Sequence, residues 1–416
     1  MATDIILRIV FLVILFVFPF GQILRISLDR YWPGLRIQPI DFFVFLFLAF
    51  WFIDKVYFKK RIFLPSIFKL MGAFIFLAAV SLFLRFSSLD LSEFIVSFLY
   101  FLRIFTYISF FLALTSFFIT ENINLKKILV FEGGAVAFGA LLQYLFLPDA
   151  RFLLNLGWDE HYFRAIGTFL DPGFTGLILV LSFLSLLVLF LEEKKNRIFY
   201  FFFGIFLLLT LGLTFSRGAY LSLLIGSGAI FFFQKKIKPF IFIFLFFLTV
   251  VFFTPKPGGE GVNLLRKTSV VARLNNYRQA LLIIKDHFLF GVGFNAYRFA
   301  QRDYGFANNK DWYSNNAGAG VDNSFLLTMS TTGIFGLIIF LVIWLKILFE
   351  ACPKKENKSG LLLFSSVFTI LFASFYINAL FYPWILFWII LLLADFTAGN
   401  KESTQLHFYS EQDQRR

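Results

Sequence analysis

Between Ile198 and Phe233 runs a stretch of 36 residues that carries a single charge, Arg217. As one straight helix it would be about 54 Å long, against a bilayer hydrocarbon core of about 30 Å. Such a run is too apolar for the surface of a soluble protein and too long for one membrane span. It therefore folds as a hairpin of two helices, and Ser216-Arg217-Gly218 is where the chain can turn. Each arm is then short for the membrane, which sets Arg217 at or just below one surface. An arginine at that depth is costly unless it faces water or an anion. Two roles fit it: snorkelling to lipid headgroups, or holding an anionic ligand.

The rest of the 416-residue chain is built the same way. It is 59% hydrophobic and 15% charged, where soluble domains carry about 25% charged residues. The fold class expected is all-α, a polytopic transmembrane helix bundle of about twelve spans. The apolar stretches fall at 5–28, 40–58, 64–84, 94–118, 128–147, 173–191, 198–214, 218–233, 239–253, 322–348, 361–378 and 382–396. Residues 1–253 then hold nine spans, 254–321 form a large outer loop domain, 322–397 hold spans ten to twelve, and 398–416 make a polar, disordered cytoplasmic tail. The stretch from Ile5 to Ile26 lacks a small-residue cleavage site and reads as a retained first helix.

A net charge of +13 would suggest nucleic acid in a soluble protein. Here the basic residues cluster in alternate loops: Lys55, Lys59, Lys60 and Arg61; Lys126 and Lys127; Lys194, Lys195 and Arg197; Lys235, Lys236 and Lys238; Lys354, Lys355 and Lys358. By the positive-inside rule these loops and both termini face the cytoplasm, and loops 148–172 and 254–321 face outward. No nucleic-acid partner is implied. Cys352 is the single cysteine, so there is no internal disulfide and no cysteine-based metal site. The span pattern shows no inverted or tandem repeat of the kind common in secondary transporters.

Four segments can carry chemistry. FRAIGTFLDPGFTG (Phe163–Gly176) places Arg164 on the same outer face as Arg217, with Asp171 read as a helix N-cap and Pro172 in the first helical turn. In the outer loop, Leu274, Tyr277, Leu281, Ile284 and Phe288 follow a three-four spacing, an apolar stripe with Arg273, Arg278 and Lys285 off it. That helix either lies on the membrane interface or caps the bundle with its arginines toward a cavity. Gly291 and Gly293 follow, suited to a tight turn. Asp322-Asn323 then opens span ten, where Asp322 is either a helix cap or a catalytic or orienting carboxylate. His161 and His287 read as structural and His407 as a solvated tail residue. No metal-ligand cluster, phosphate-binding Gly-rich loop or Gly-x-Ser-x-Gly elbow is present, so no metal and no cofactor is expected.

FRAIGTFLDPGFTG, LTFSRGAYLSLL (Leu213–Leu224), RLNNYRQALLIIKDHFLFGVGF (Arg273–Phe294) and VDNSFLLTMSTTGIFGL (Val321–Leu337), in this order, resemble the O-antigen ligase and O-antigen polymerase superfamily of bacterial membrane glycosyltransferases. Together the motifs span about 163 to 337. The resemblance implies transfer of a glycan from an undecaprenyl-diphosphate carrier to a glycan, lipid A-core or other acceptor, on the outer face of the inner membrane, without metal. It implies that Arg164 and Arg217 lie at the donor diphosphate, with Arg273 and Arg278 supplied by the loop helix and Asn323 orienting the acceptor. Ligases typically carry histidine before the asparagine of the fourth motif. Asp322 stands there in this chain, which leans the reading toward a polymerase or another family member.

The chemistry suits arginine. Guanidinium groups make bidentate contacts to phosphate and stay charged in a partly dry site, so they can stabilise a departing diphosphate in place of a metal. Asp322 would accept the acceptor proton or orient its hydroxyl. An unperturbed carboxylate near pKa 4 is a weak base, and neighbouring arginines would weaken it further. The alternatives are a transporter or flippase of lipid-linked glycan and a protein O-oligosaccharyltransferase.

Overall fold

The computed structural model describes residues 2–413 other than 30, 60–61, 122, 308–312, 314–319 and 354–356, with side chains to residue 400. Lys60, Arg61, Lys354, Lys355 and the His407 side chain lie outside the described residues. A helix covers each of the twelve apolar stretches. These are α1 (Ala2–Val17), α2 (Pro39–Tyr57), α3 (Ser66–Leu84), α4 (Leu91–Thr120), α5 (Leu125–Phe146), α6 (Pro172–Glu192), α7 (Arg197–Leu213), α8 (Arg217–Phe233) and α9 (Ile237–Phe253). After the outer segment, which holds α10 (Thr268–Asp286) and α11 (Tyr297–Asp303), come α12 (Ser324–Ala351), α13 (Lys358–Ala373) and α14 (Pro383–Asp413). Seven helices among the described residues are long and apolar enough to cross a membrane, and α7, α8, α9 and α13 are shorter apolar helices.

α6 and α14 form the interior, with 78% and 72% of their most apolar windows buried, against 33–44% for the other five membrane-length helices. α6 packs on α5, α7, α8 and α13, and α14 packs on α4 and α13. The exposed face of the surrounding helices is aromatic and aliphatic, as at Phe16, Phe131, Phe202 and Phe349. That is the distribution a lipid solvent allows, since only backbone groups must then be satisfied internally.

Four local departures from the sequence pattern matter. The first helix ends at Val17, not near residue 28, and continues as a 3-10 turn over Phe18–Leu24. Pro19 breaks the helical ladder, and Gly21 sits at φ 53° against the Thr168 carbonyl, where an added Cβ would stand 2.7 Å from the oxygen. A short antiparallel hairpin follows, β1 (Ile26–Ser27) on β2 (Arg36–Ile37).

In α10 the buried face is Ala280, Ile283 and Ile284, flanked by half-buried Tyr277. Leu274, Leu281 and Phe288 of the expected stripe are about half exposed. The three-four spacing was satisfied by two overlapping apolar faces, and packing on α12 selects the one that contains Ala280. Residues 398–413 continue α14 where a disordered tail is expected; no proline interrupts them.

α12 is broken at Gly333 (φ 67°, ψ −168°). The segment 288–293 fills the break. Phe288 accepts from the Ile334 amide at 2.9 Å, Val292 donates to the Ser330 carbonyl at 2.8 Å, and the Ser81 hydroxyl reaches the carbonyls of Phe290 and Thr331. Phe294 then enters the bundle core against Phe74, Phe101 and Phe381. Irregular backbone is tolerated here because protein groups satisfy it. The outer segment is thereby anchored in the bundle, and it carries a small core of its own around Ala280, Ile283, Val292, Tyr297, Ala300 and Val321.

Candidate functional site

The turn between α7 and α8 is three residues, Thr214, Phe215 and Ser216, so the long apolar run does fold as a hairpin. Ser216 caps α8 by accepting from the Ala219 amide, and Phe215 adopts a left-handed conformation (φ 48°). The turn therefore leaves the Thr214 and Phe215 carbonyls without helical partners, and arginines satisfy them. Arg164, 8% exposed, donates from Nε to the Thr214 carbonyl at 3.0 Å and from Nη2 to the Phe215 carbonyl at 3.3 Å. Its backbone is set by the Ala165 amide on the Leu213 carbonyl (2.9 Å) and by Gln143, whose Oε1 accepts from the Ile166 and Gly167 amides.

Arg266 arrives at the same turn from the outer segment. Its Nη2 also donates to the Phe215 carbonyl at 3.3 Å, while Nη1 holds the Gly261 and Asn263 carbonyls. Arg217, at the first turn of α8, donates from Nη1 to the Leu264 and Arg266 carbonyls at 3.2 and 3.1 Å and from Nη2 to Ser269 Oγ at 2.8 Å. Arg164 and Arg217 thus belong to one layer, joined through Arg266: Arg164 spends its donors on the α7–α8 turn, and Arg217 spends its own on residues 264–269 of the outer segment.

Arg273 differs from them. Half-buried on α10, its guanidinium lies 5.9 Å from the Tyr376 ring centre and makes no hydrogen bond among the described residues. Arg278 is exposed, roughly 140° around the helix from Arg273, and is not brought into this cluster. Packing of α10 on α12 turns Arg273, and not Arg278, toward the bundle.

On the facing side, α10 fixes the entry to α12. Asn276 donates to the Gly320 carbonyl and accepts from the Asp322 amide, at 2.8 and 2.9 Å, and the Tyr277 hydroxyl donates to the Asp322 and Phe375 carbonyls. The capping group of α12 is Asn323, whose Oδ1 accepts from the Phe325 and Leu326 amides at 2.9 and 3.0 Å while Nδ2 reaches the Phe375 carbonyl. Asn323 is 7% exposed and its amide is occupied. The carboxylate of half-buried Asp322, one residue outside the cap, makes no hydrogen bond among the described residues. Asp171 is the N-cap of α6, accepting from the Gly173 and Phe174 amides at 2.7 and 2.8 Å, with Pro172 next to it.

The electrostatics follow from burial and from crowding of like charges. Burial, then neighbouring Arg266, pushes the Arg164 guanidinium down to about 9, still charged at neutral pH. Arg266 is lowered by burial, then by Arg217 and Arg273. Asp322 is raised to about 6 by burial; Arg273 pulls it down, and Asp171 and Asp159 push it up. Burial therefore outweighs the arginines, and Asp322 is a stronger base than an unperturbed carboxylate. His161 is 5% exposed, has no hydrogen-bond partner at either ring nitrogen among the described residues, and is held near 3 by burial, Arg164 and Arg266. It is neutral and cannot assist by protonation. Burial, then Arg85, also lowers His287.

Arg266, Asn276 and Asp159 were not singled out by sequence, and Tyr277 was read only as part of the apolar stripe of the loop helix. Arg266 lies seven positions before Arg273 in an irregular segment, so no periodicity marks it. Asp159 precedes Arg164 in WDEHYFRAIG and could have been flagged by that proximity. The assembled site offers a layer of guanidinium groups, one of them without a hydrogen bond, beside a carboxylate that titrates near neutrality. Such a pairing binds a phosphate ester and takes a proton from a hydroxyl.

Residues 202–341, about a third of the chain, match the family model described as O-antigen ligase. The match begins in α7 and ends beyond the break in α12, so it includes Arg217, Arg266, Arg273, Asp322 and Asn323 and leaves out Arg164. No curated protein matches the chain.

Proposed function

We propose that this member of the O-antigen ligase and polymerase superfamily is an integral membrane glycosyltransferase that uses a polyprenyl-diphosphate-linked glycan as donor. The observation that carries the reading is that Arg273, whose guanidinium makes no hydrogen bond among the described residues, lies close enough to Asp322 to pull its carboxyl down electrostatically. Arg273 contacts the diphosphate. Arg217 and Arg266 hold the outer segment over the hairpin turn, Arg164 braces that turn, and the three supply the positive field in which the diphosphate sits.

The acceptor hydroxyl oxygen forms the new bond to the anomeric carbon as the bond from that carbon to the diphosphate oxygen breaks. The leaving diphosphate keeps the electron pair, and the hydroxyl proton passes to the Asp322 carboxylate. An electrostatic contribution of this type reaches several kcal/mol when the donors are preorganised. Asn323 acts one step back, by fixing the end of α12 on which Asp322 stands. The site lies on the outer face of the bacterial inner membrane, with the basic clusters and both termini in the cytoplasm. The substrates are an undecaprenyl-diphosphate glycan and a glycan or lipid A-core acceptor, and Asp322 in the position of the ligase histidine favours polymerisation.

Purified protein in vesicles, supplied with lipid-linked oligosaccharide, tests this. Lengthened or transferred glycan is the expected product. Donor moved across the bilayer with no new glycosidic bond would make the protein a carrier, and glycan on a protein serine or threonine would make it a protein O-oligosaccharyltransferase.

A further inference from the structure

A recess of about 180 Å³ opens between α2, α4 and strand β2, and it shares no residue with the candidate site. Its polar walls are Arg36, Arg103 and Asp41, and its apolar rim includes Phe45, Leu99 and Leu102, all exposed on the outside of the bundle. Asp41 and Phe45 lie in the first two turns of α2, the level at which a span leaves the hydrocarbon. A charged floor behind an apolar rim at that depth suits an amphipathic ligand.

The hydrogen bonds decide its sign. Asp41 is already satisfied: Oδ1 accepts from the Tyr107 hydroxyl at 3.0 Å, and Oδ2 accepts from the Gln38 amide at 3.4 Å and pairs with Arg103 Nη2 at 2.7 Å. Arg103 is not. Its Nη2 also donates to the Arg36 carbonyl at 2.8 Å, but Nε and Nη1 make no hydrogen bond among the described residues. Behind it, Arg36 and Arg298 donate to one carbonyl oxygen, that of Tyr313, at 3.0 and 2.6 Å. Burial, then the nearby Arg36, pushes Arg25 and Arg298 each down to about 10. Asp29 pairs with Arg36 as Asp41 does with Arg103, so two carboxylates stand among four guanidinium groups and the recess lies in a positive field.

We propose that the recess binds the phosphate of an anionic glycerophospholipid, whose acyl chains lie along Phe45, Leu99 and Leu102. The phosphate oxygens accept charge-assisted hydrogen bonds from the donors that Arg103 has left. The recess is about six times the roughly 30 Å³ that one water occupies in the liquid, room for a single phosphate group and too little for a diphosphate that carries sugar. The inference stands apart from the transferase reading: it assigns a membrane lipid that ties α2, α4 and the hairpin together.

The test places a benzophenone side chain at Leu102 in the full-length protein, and at the exposed Phe131 on α5 as a control, in nanodiscs of phosphatidylcholine. A trace of radiolabelled phosphatidylglycerol is added and the sample irradiated. Labelling through Leu102 should exceed that through Phe131 at least tenfold. Unlabelled phosphatidylglycerol should compete it away, and equal amounts of phosphatidylethanolamine or inorganic phosphate should not. Equal labelling at the two positions, or equal competition by phosphatidylethanolamine, overturns the proposal. Competition by inorganic phosphate would make this a free-phosphate site, and stronger competition by a phosphorylated lipid A-core would make it an acceptor site; either result also overturns the phospholipid. Joint Asp41→Asn and Arg103→Gln substitution removes both charges of the pair and should bring labelling down to the control level. Should that variant fail to fold, Thr106→Trp fills the recess beside an intact pair and should do the same. Undiminished labelling in either folded variant overturns the assignment.

Discussion

Arg164 and Arg266 donate to the same atom, the carbonyl oxygen of Phe215, each at 3.3 Å. One comes from the loop before α6 and the other from the segment after α9, so this oxygen ties three distant stretches of the chain into one layer. Like charges are held together there by a backbone acceptor, and among the described residues Asp159 and Asp171 are the carboxylates that offset Arg164. Such a layer is under electrostatic tension that a bound anion relieves.

Arg273 and Arg217 should therefore separate in their effects. Arg273→Ala should lower glycan transfer at least a hundredfold with the melting temperature in detergent unchanged, since its guanidinium makes no hydrogen bond among the described residues. Arg217→Ala should lower both, because it removes three hydrogen bonds that hold residues 264–269, with a stability loss of about 1–3 kcal/mol. Arg278→Ala should do neither.

Asp322→Asn should reduce transfer by about two orders of magnitude or more, the usual contribution of a positioned base. Helix stability should survive, because Asn323 is the cap.

Transfer should also depend on pH through Asp322. As a base it must be ionised, so the rate should rise with pH through about 6 and level off above it. Stability runs the other way. The folded-state value is raised above the unfolded one, so ionisation costs nothing below about pH 4 and its full penalty above about pH 6. Asp322→Asn should thus raise the melting temperature at pH 7.5 and leave it unchanged near pH 4.

Asn323→Ala removes the α12 cap and should destabilise by about 1 kcal/mol, and Asn323→Asp should recover most of the loss. A melting curve in detergent distinguishes the pair.

Gly333→Ala should prevent accumulation of folded protein. Its φ is 67°, and an added Cβ would stand 2.0 Å from the Leu289 carbonyl oxygen. Gly72→Ala in α3 is the matched control, with nothing within 4 Å of the new methyl, and should be neutral or stabilising by about 1 kcal/mol.

Much of this was legible in the residues. Each of the twelve apolar runs holds a helix, and seven helices among the described residues are long and apolar enough to cross a membrane, because lipid exposure imposes hydrophobicity over a whole span. The hairpin at Ser216 followed from length alone, and the Asp171 cap from the Asp-Pro pair. What failed was whatever depends on a partner. The inward face of α10 was decided by α12, the break at Gly333 by residues 288–293, and the raised pKa of Asp322 by burial that no local pattern records. The arginines at 164 and 217 could be placed on one surface, but the residue that joins them, Arg266, sits in irregular chain without a period to betray it.

The break in α12 has a mechanical consequence. With residues 288–293 supplying partners to the severed helix and Phe294 seated among the bundle aromatics, the outer segment is a spliced part of the bundle and not a flap resting on it. Lifting the foot of this segment would strip a buried helix of its hydrogen bonds, so on the transferase reading proposed above substrate enters and product leaves sideways or through the far edge, beyond α10. Protease or hydrogen-exchange protection should accordingly be as strong at 288–294 as in the deepest spans.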